Sequence, residues 1–253
     1  MNKDSISYFA IYGTIIEYFY KGGNVMTIKW DEITYDNLTN IEKALNIYDH
    51  AFPIEVRESH NIFFESLQYA RCRKPNSFRF LVGFEEGQVV SFATGHYFAD
   101  ANLGFIVYLV TNPDVRSKGL GSKTLLKLEE LLKKDALSAG NGSLRAIILE
   151  TEKQELVHTE EEKEDCIKRN RFFERNGYYQ YEEFNYVQPP LHNGESNIPL
   201  NLFINKNDIS KEEINDFIRV IYQEKYCLVN GIDKKVLRTC LKEMDVDELT
   251  FFN

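Results

Sequence analysis

Long apolar runs are missing from this chain. No stretch approaches 18 consecutive apolar residues, so nothing in it reads as a membrane-spanning helix. Cysteine is scarce and scattered: Cys72, Cys166, Cys227 and Cys240 form no CxxC pair. That excludes a zinc knuckle and a secreted disulfide framework, and it fits reduced thiols in a cytoplasmic protein without a metal. Positive charge is also short. The 30 Lys and Arg against 39 Asp and Glu leave a net charge of −9, which argues against a nucleic-acid partner and suits a cationic small molecule.

What is present is the composition of a folded protein, 43% hydrophobic and 27% charged, in a chain of 253 residues that is long enough for one large domain and a small appendage. The apolar start, "SISYFAIYGTIIEYFYKGG", is interrupted by Glu17 and is followed by no small-x-small cleavage site, so it is not read as a secretion signal. "MTIKWDEITYDNLTN" from Met26 reads as the beginning of a domain, with residues 1–25 as an N-terminal extension whose native start is open.

Helical spacing of Ile41, Ala44, Leu45 and Tyr48, closed by Pro53, predicts a first helix, and Glu58 to Arg73 a second. Three runs rich in β-branched and aromatic residues, 78–84, 88–98 and 103–110, predict an antiparallel meander. An amphipathic helix from Gly121, with Leu125, Leu128 and Leu132 on one stripe, leads to a strand at 144–151. A strand reached through a helix from the strand at 103–110 is its parallel neighbour. A helix over 163–176 with Gly177 as its stop, then strands in "YYQYEEFNYV" and "IPLNLFIN", complete the main domain. From residue 207 the character changes. Ser210 and Glu213 form a capping box, "GID" breaks the helix they start, and Lys234 to Met244 forms another, a C-terminal helical hairpin expected to play no part in function.

The stretch that carries chemistry is "NPDVRSKGLGS", residues 112–122, between a strand and a helix. Glycines at a helix N-terminus expose backbone N–H groups where the helix dipole is positive, which suits phosphate. The GxxxxGK[ST] pattern is absent, and GxGxxG fails because Thr124 stands where the third glycine belongs. The remaining pattern, Arg116-x-x-Gly119-x-Gly121, together with "RFFERNGYY" about 50 residues on and the order of elements around both, resembles the acetyl-CoA signature of the GNAT superfamily of N-acyltransferases over roughly residues 27–206.

That resemblance implies an α+β fold, α/β/α layered, with a mostly antiparallel sheet of six or seven strands and a splayed parallel pair, here 103–110 and 144–151. It also implies acetyl-CoA as cosubstrate, with Leu109, Val110 and Thr111 alongside the pantetheine arm and Arg116, Ser117, Lys118, Gly119, Leu120, Gly121 and Ser122 around the pyrophosphate. The reaction it implies is direct attack of a primary amine, a small molecule or polycationic metabolite, on the thioester, in a monomer or homodimer. The chain departs from the superfamily's pattern at three places: Phe173 stands for the usual acidic tyrosine, Cys166 for an asparagine, and Val107 for a glutamate. Substitutes come from the ends of the parallel strands. Glu150, which by alternation shares a face with Glu152, is the candidate base, and Tyr108 the candidate acid. His96 is a lesser candidate, and Cys166 as a nucleophile is disfavoured because no histidine lies at a recognisable spacing. Two other classes stay open: an acyl-CoA-binding protein with weak or lost catalysis, and an interaction module whose glycine turn is only a turn.

Overall fold

The computed structural model describes residues 8–11, 14–19, 26–52, 57–112, 115, 119–192, 194 and 196–247. Among these residues ten strands make one sheet: β1 (Tyr8–Ile11), β2 (Thr14–Phe19), β3 (Met26–Ile33), β4 (Ser77–Glu85), β5 (Gln88–Phe98), β6 (Leu103–Thr111), β7 (Ala146–Glu152), β8 (Tyr179–Gln180), β9 (Val187–Gln188) and β10 (Ile198–Ile204). Their spatial order is β1-β2-β3-β4-β5-β6-β7-β10-β8, with β9 also on β10. The expected six or seven strands are the long ones from β3 onward. Within the N-terminal extension, β1 and β2 add a hairpin that pairs antiparallel with β3.

Every pairing is antiparallel except β6 with β7, as the helical crossover between them requires. That crossover is α3 (Leu120–Ser138), which seats Leu125, Leu128, Leu132 and Ala136 on one face of the sheet against Ala93, Tyr97, Ile106 and Ile147. The same cluster takes Phe173 from α4 (Glu160–Arg175), whose start is fixed by a capping box between Thr159 and Glu162. The opposite face is covered by α1 (Ile41–Ala51) and α2 (His60–Cys72) near β4–β6, and by α5 (Lys211–Val220) and α6 (Lys234–Glu243) near β7 and β10.

One expectation changes and another is refined. The run 178–187 holds two-residue strands at each end instead of one strand, because Phe184 and Tyr186 turn inward to the core while Glu182 and Glu183 stay in water. And the helix that starts after Ser210 runs to the break at "GID" as expected but is not α-helical throughout: after α5 come nine residues of π-helix, Ile221–Val229, which bury Tyr222, Glu224, Lys225 and Tyr226.

One irregularity positions everything that follows. Opposite the consecutive residues Thr94 and Gly95 of β5, β6 places Tyr108 and Ile106, so Val107 is an extra, bulged residue. The bulge reverses the alternation of side chains. Phe105 packs on the face of α5, Ile106 on the face of α3, and then Tyr108 and Val110 return to the face of α1 and α2.

Candidate active site

The parallel pair is short. β6 and β7 are in register from Leu103 with Ala146 to Ile106 with Leu149, and past that point they part at the bulge. Leu109, Val110 and Thr111 keep ladder partners on β5, while Glu150, Thr151 and Glu152 keep theirs on β10. The result is a fork in the sheet, with main-chain groups of 109–111 along one prong.

The first turn of α3 lies beyond that prong. Gly119 is the N-cap in a left-handed conformation (φ 69°), no side chain caps the helix, and no acidic residue sits in its first turn. A residue with a Cβ would be strained at this φ. The first intrahelical bond recorded at this end is Lys123 N–H to the Gly119 carbonyl, 3.1 Å, so geometry leaves the N–H groups of Leu120, Gly121 and Ser122 without helical acceptors. At Gly121 a Cβ would come within 3.1 Å of the Phe172 ring from α4, and within 3.9 Å of Thr111. The turn is therefore tucked between the β6 prong and α4, and its amides with the helix dipole fit an anion such as a phosphate ester. Arg116, Ser117 and Lys118 lie outside the described residues.

At the base of the fork two carboxylates collect partners. Glu150, the first residue of β7 past its last pairing with β6, is half-buried. It receives the Tyr226 hydroxyl at 2.8 Å (Oε1) and 3.0 Å (Oε2), the Gln188 Nε2 at 2.9 Å, and the Tyr186 hydroxyl. Dense surroundings outweigh the surface left open: burial raises its pKa first and most, and the three donors act against that rise. The second carboxylate, Glu58, lies before α2 and is buried. It pairs with Lys225 at 2.8 Å and accepts from Asn230 at 2.6 Å and from the Tyr108 hydroxyl at 3.2 Å. Tyr48 shares a 3.0 Å hydrogen bond with Tyr108. Burial, with the Glu58 charge second, pushes the Tyr108 phenol well above its usual pKa, so it stays protonated.

The structure thus brings the two candidates, Glu150 and Tyr108, to one face of the sheet, Tyr108 only because of the bulge. Glu152 keeps the alternation, opposite Leu200 as Glu150 is opposite Leu202, but at the last residue of its strand its carboxylate reaches Arg169 of α4, 2.6 Å away. His96 is wholly buried among Phe98, Phe78 and Tyr69, and neither ring nitrogen has a partner among the described residues. Phe173 is a core residue, 5.9 Å ring to ring from Tyr178 and 6.2 Å from Phe203. Cys166 is buried, and burial raises its thiol pKa, against a nucleophilic role.

Sequence reasoning passed over Glu58, Lys225, Tyr186, Gln188 and Tyr226. One signal was available: continuing the stripe of Ile214, Ile218 and Ile221 lands on Lys225, a charge in a buried register that demands a partner. The loop before α2 and the loop after β9 meet through a 2.9 Å contact of His192 Nε2 with the Arg57 carbonyl.

Residues 41–154 match the model of the acetyltransferase (GNAT) family. No curated protein sequence is similar enough to count as a match. Among solved structures, a protein from Bacteroides thetaiotaomicron assigned to the GNAT acetyltransferases aligns over 81% of this chain and 99% of its own at 23% identity, with a TM-score of 0.60. Ard1 from Thermoplasma volcanium (16% identity; 70% of this chain, 95% of its own; TM-score 0.46) superposes less well. So does PaiA N-acetyltransferase from Thermoplasma acidophilum in complex with coenzyme A (18%; 72% and 100%; 0.43). The first similarity is close enough to define the fold, and the mixed sheet with its single parallel pair is that fold.

Proposed function

We propose that the protein, whose residues 41–154 match the acetyltransferase (GNAT) family model, transfers an acetyl group from acetyl-CoA to a primary amine by direct attack in a ternary complex. The observation that supports the proposal is the fork, with a helix terminus whose free amides suit an anion and a row of main-chain groups leading to a carboxylate. In this reading Leu109, Val110 and Thr111 align the pantetheine arm, while Gly119, Leu120, Gly121 and Ser122, with Arg116, Ser117 and Lys118, hold the pyrophosphate. Acetyl-CoA supplies an activated acyl group on a good leaving thiolate.

Glu150 accepts a proton from the acceptor's ammonium, freeing the lone pair that attacks the carbonyl carbon. As the new N–C bond forms and the C–S bond breaks, the thiolate takes a proton and the second nitrogen proton is lost to solvent. Tyr108 is the donor on this face, and its contacts with Tyr48 and Glu58 offer a path by which it is reloaded. A phenol so strongly buried is a weak acid, so orientation at the fork carries the larger share of the acceleration. In this reading residues 26–206 are the acetyltransferase domain and 207–253 a C-terminal unit packed on it.

Phe173 and Val107 favour a second reading, an acyl-CoA-binding protein with weak or lost catalysis. Calorimetric titration with acetyl-CoA, followed by thiol release across polyamines, aminoglycosides, amino acids and peptide N-termini, separates the two. Binding with turnover on one acceptor class is expected. Binding without turnover on any of them leaves the second reading, and absence of binding overturns both.

A further inference from the structure

Three of the groups around Glu150 lie outside the segment that matches the family. Tyr186 precedes β9, Gln188 belongs to it, and Tyr226 comes from the π-helix. Together they surround the carboxylate: Tyr226 reaches both oxygens, Gln188 donates to Oε2 and stands 3.3 Å from the Tyr226 hydroxyl, and Tyr186 donates to Oε1. An ionised carboxylate only accepts, so both phenols give it their protons. Each such bond favours the charged form, which burial alone would disfavour.

We propose that the C-terminal π-helical segment is part of the active site, with Tyr226 a positioning residue that, together with Tyr186 and Gln188, holds the Glu150 carboxylate in place and ionised. The proposal rests on the reading of Glu150 as the base, and it departs from the expectation that the C-terminal helices are a passive appendage. A π-helix is uncommon over even one turn and tends to mark functional positions. Here it brings Tyr222, Lys225 and Tyr226 together on the buried side of one helix. The three have separate tasks. Lys225 neutralises Glu58, Tyr222 donates to the Val187 carbonyl at 2.5 Å, and Tyr226 alone of the segment touches Glu150. The charged and titratable groups facing Glu150 are then Tyr186, Tyr222, Tyr226 and Glu58 with its Lys225 counter-charge, while β10 sets Leu202 beside it. The Glu58 charge opposes ionisation of Glu150, and the hydroxyl and amide donors are what act the other way.

The test follows the Glu150 carboxyl itself. In protein carrying carbon-13 at the glutamate carboxyls, its resonance is assigned by its loss in Glu150→Gln and titrated with pH in wild type, Tyr226→Phe and Tyr222→Phe. Removing the Tyr226 hydroxyl should move the midpoint up by about one unit, and Tyr222→Phe should leave it in place. The acidic limb of thiol release from acetyl-CoA with the amine panel should move with it, without change in acetyl-CoA binding. Should Tyr226→Phe fail to fold, Gln188→Leu removes another donor and should shift the midpoint in the same direction. An unmoved midpoint, or an equal shift in Tyr222→Phe, overturns the proposal and leaves Glu150 as base. Full turnover by Glu150→Gln overturns the base reading and the proposal with it.

Discussion

Glu150 sits where the strand pair ends, and that position rather than its sequence neighbours decides what it meets. Replacing it with Gln keeps its shape and three of its contacts but removes the proton acceptor. The expected result is a fall in kcat of about 10²- to 10⁴-fold with the KM for acetyl-CoA little changed, read by steady-state thiol release. His96 carries a different signal at the same scale. Burial, and after it the charge of Lys225, hold its pKa well below 6.5. The unfolded chain takes up a proton near pH 6.5 that the folded chain refuses, so stability is complete above that pH. Below it stability is lost at about 1.4 kcal/mol per pH unit, until the depressed folded pKa is reached. His96→Leu should abolish that slope in urea denaturation between pH 6.5 and 5. It should also stabilise the fold, since two buried nitrogens without partners disappear. Glu150 and Tyr108 were visible in the sequence because strand ends flanking a crossover are predictable. The helical stripe could have shown Lys225 as a buried charge, but not Glu58 as its partner, because nothing local joins residues 167 positions apart.

The elements show the same division. The start of α3 was readable, since glycines ahead of a leucine stripe have few other uses, and the structure gives Gly119 the left-handed φ such a turn requires. Gly121→Val should raise the KM for acetyl-CoA several-fold while sparing kcat at saturation. Its side chain would press on Phe172 and move the turn amides, away from the base of the fork. Kinetics at varied acetyl-CoA, with melting temperature as the control for folding, check this. The bulge at Val107 was not readable. A single extra residue leaves the alternation of "LGFIVYLV" looking regular, and only pairing with Thr94 and Gly95 shows that two neighbours turn to one face. Nor was the π-helix, because the residues 221–229 would serve an α-helix equally well, and it is their buried partners that select the wider turn.

For the whole molecule, the C-terminal helices and the sheet share one core: Ile214, Phe217, Ile218 and Ile221 pack in the same cluster as Phe105, Ile148 and Leu202. A chain ending at Lys206 would expose that surface and should be insoluble or molten, which circular dichroism and soluble yield would show. The Glu58–Lys225 pair ties the same helices to the loop before α2. Lys225→Ala should cost about 3–5 kcal/mol in chemical denaturation, because it leaves a buried carboxylate uncompensated. The double variant Glu58→Gln, Lys225→Met should recover most of it. The sequence by itself determined the order of strands and helices, the parallel crossover and the helix terminus suited to an anion, since periodicity, capping and turn chemistry are written in contiguous residues. The tertiary structure alone decided which face Tyr108 points to and which donors surround Glu150. It also decided that the C-terminal π-helix brings Tyr226 onto Glu150, because those facts depend on burial among residues that only packing brings together.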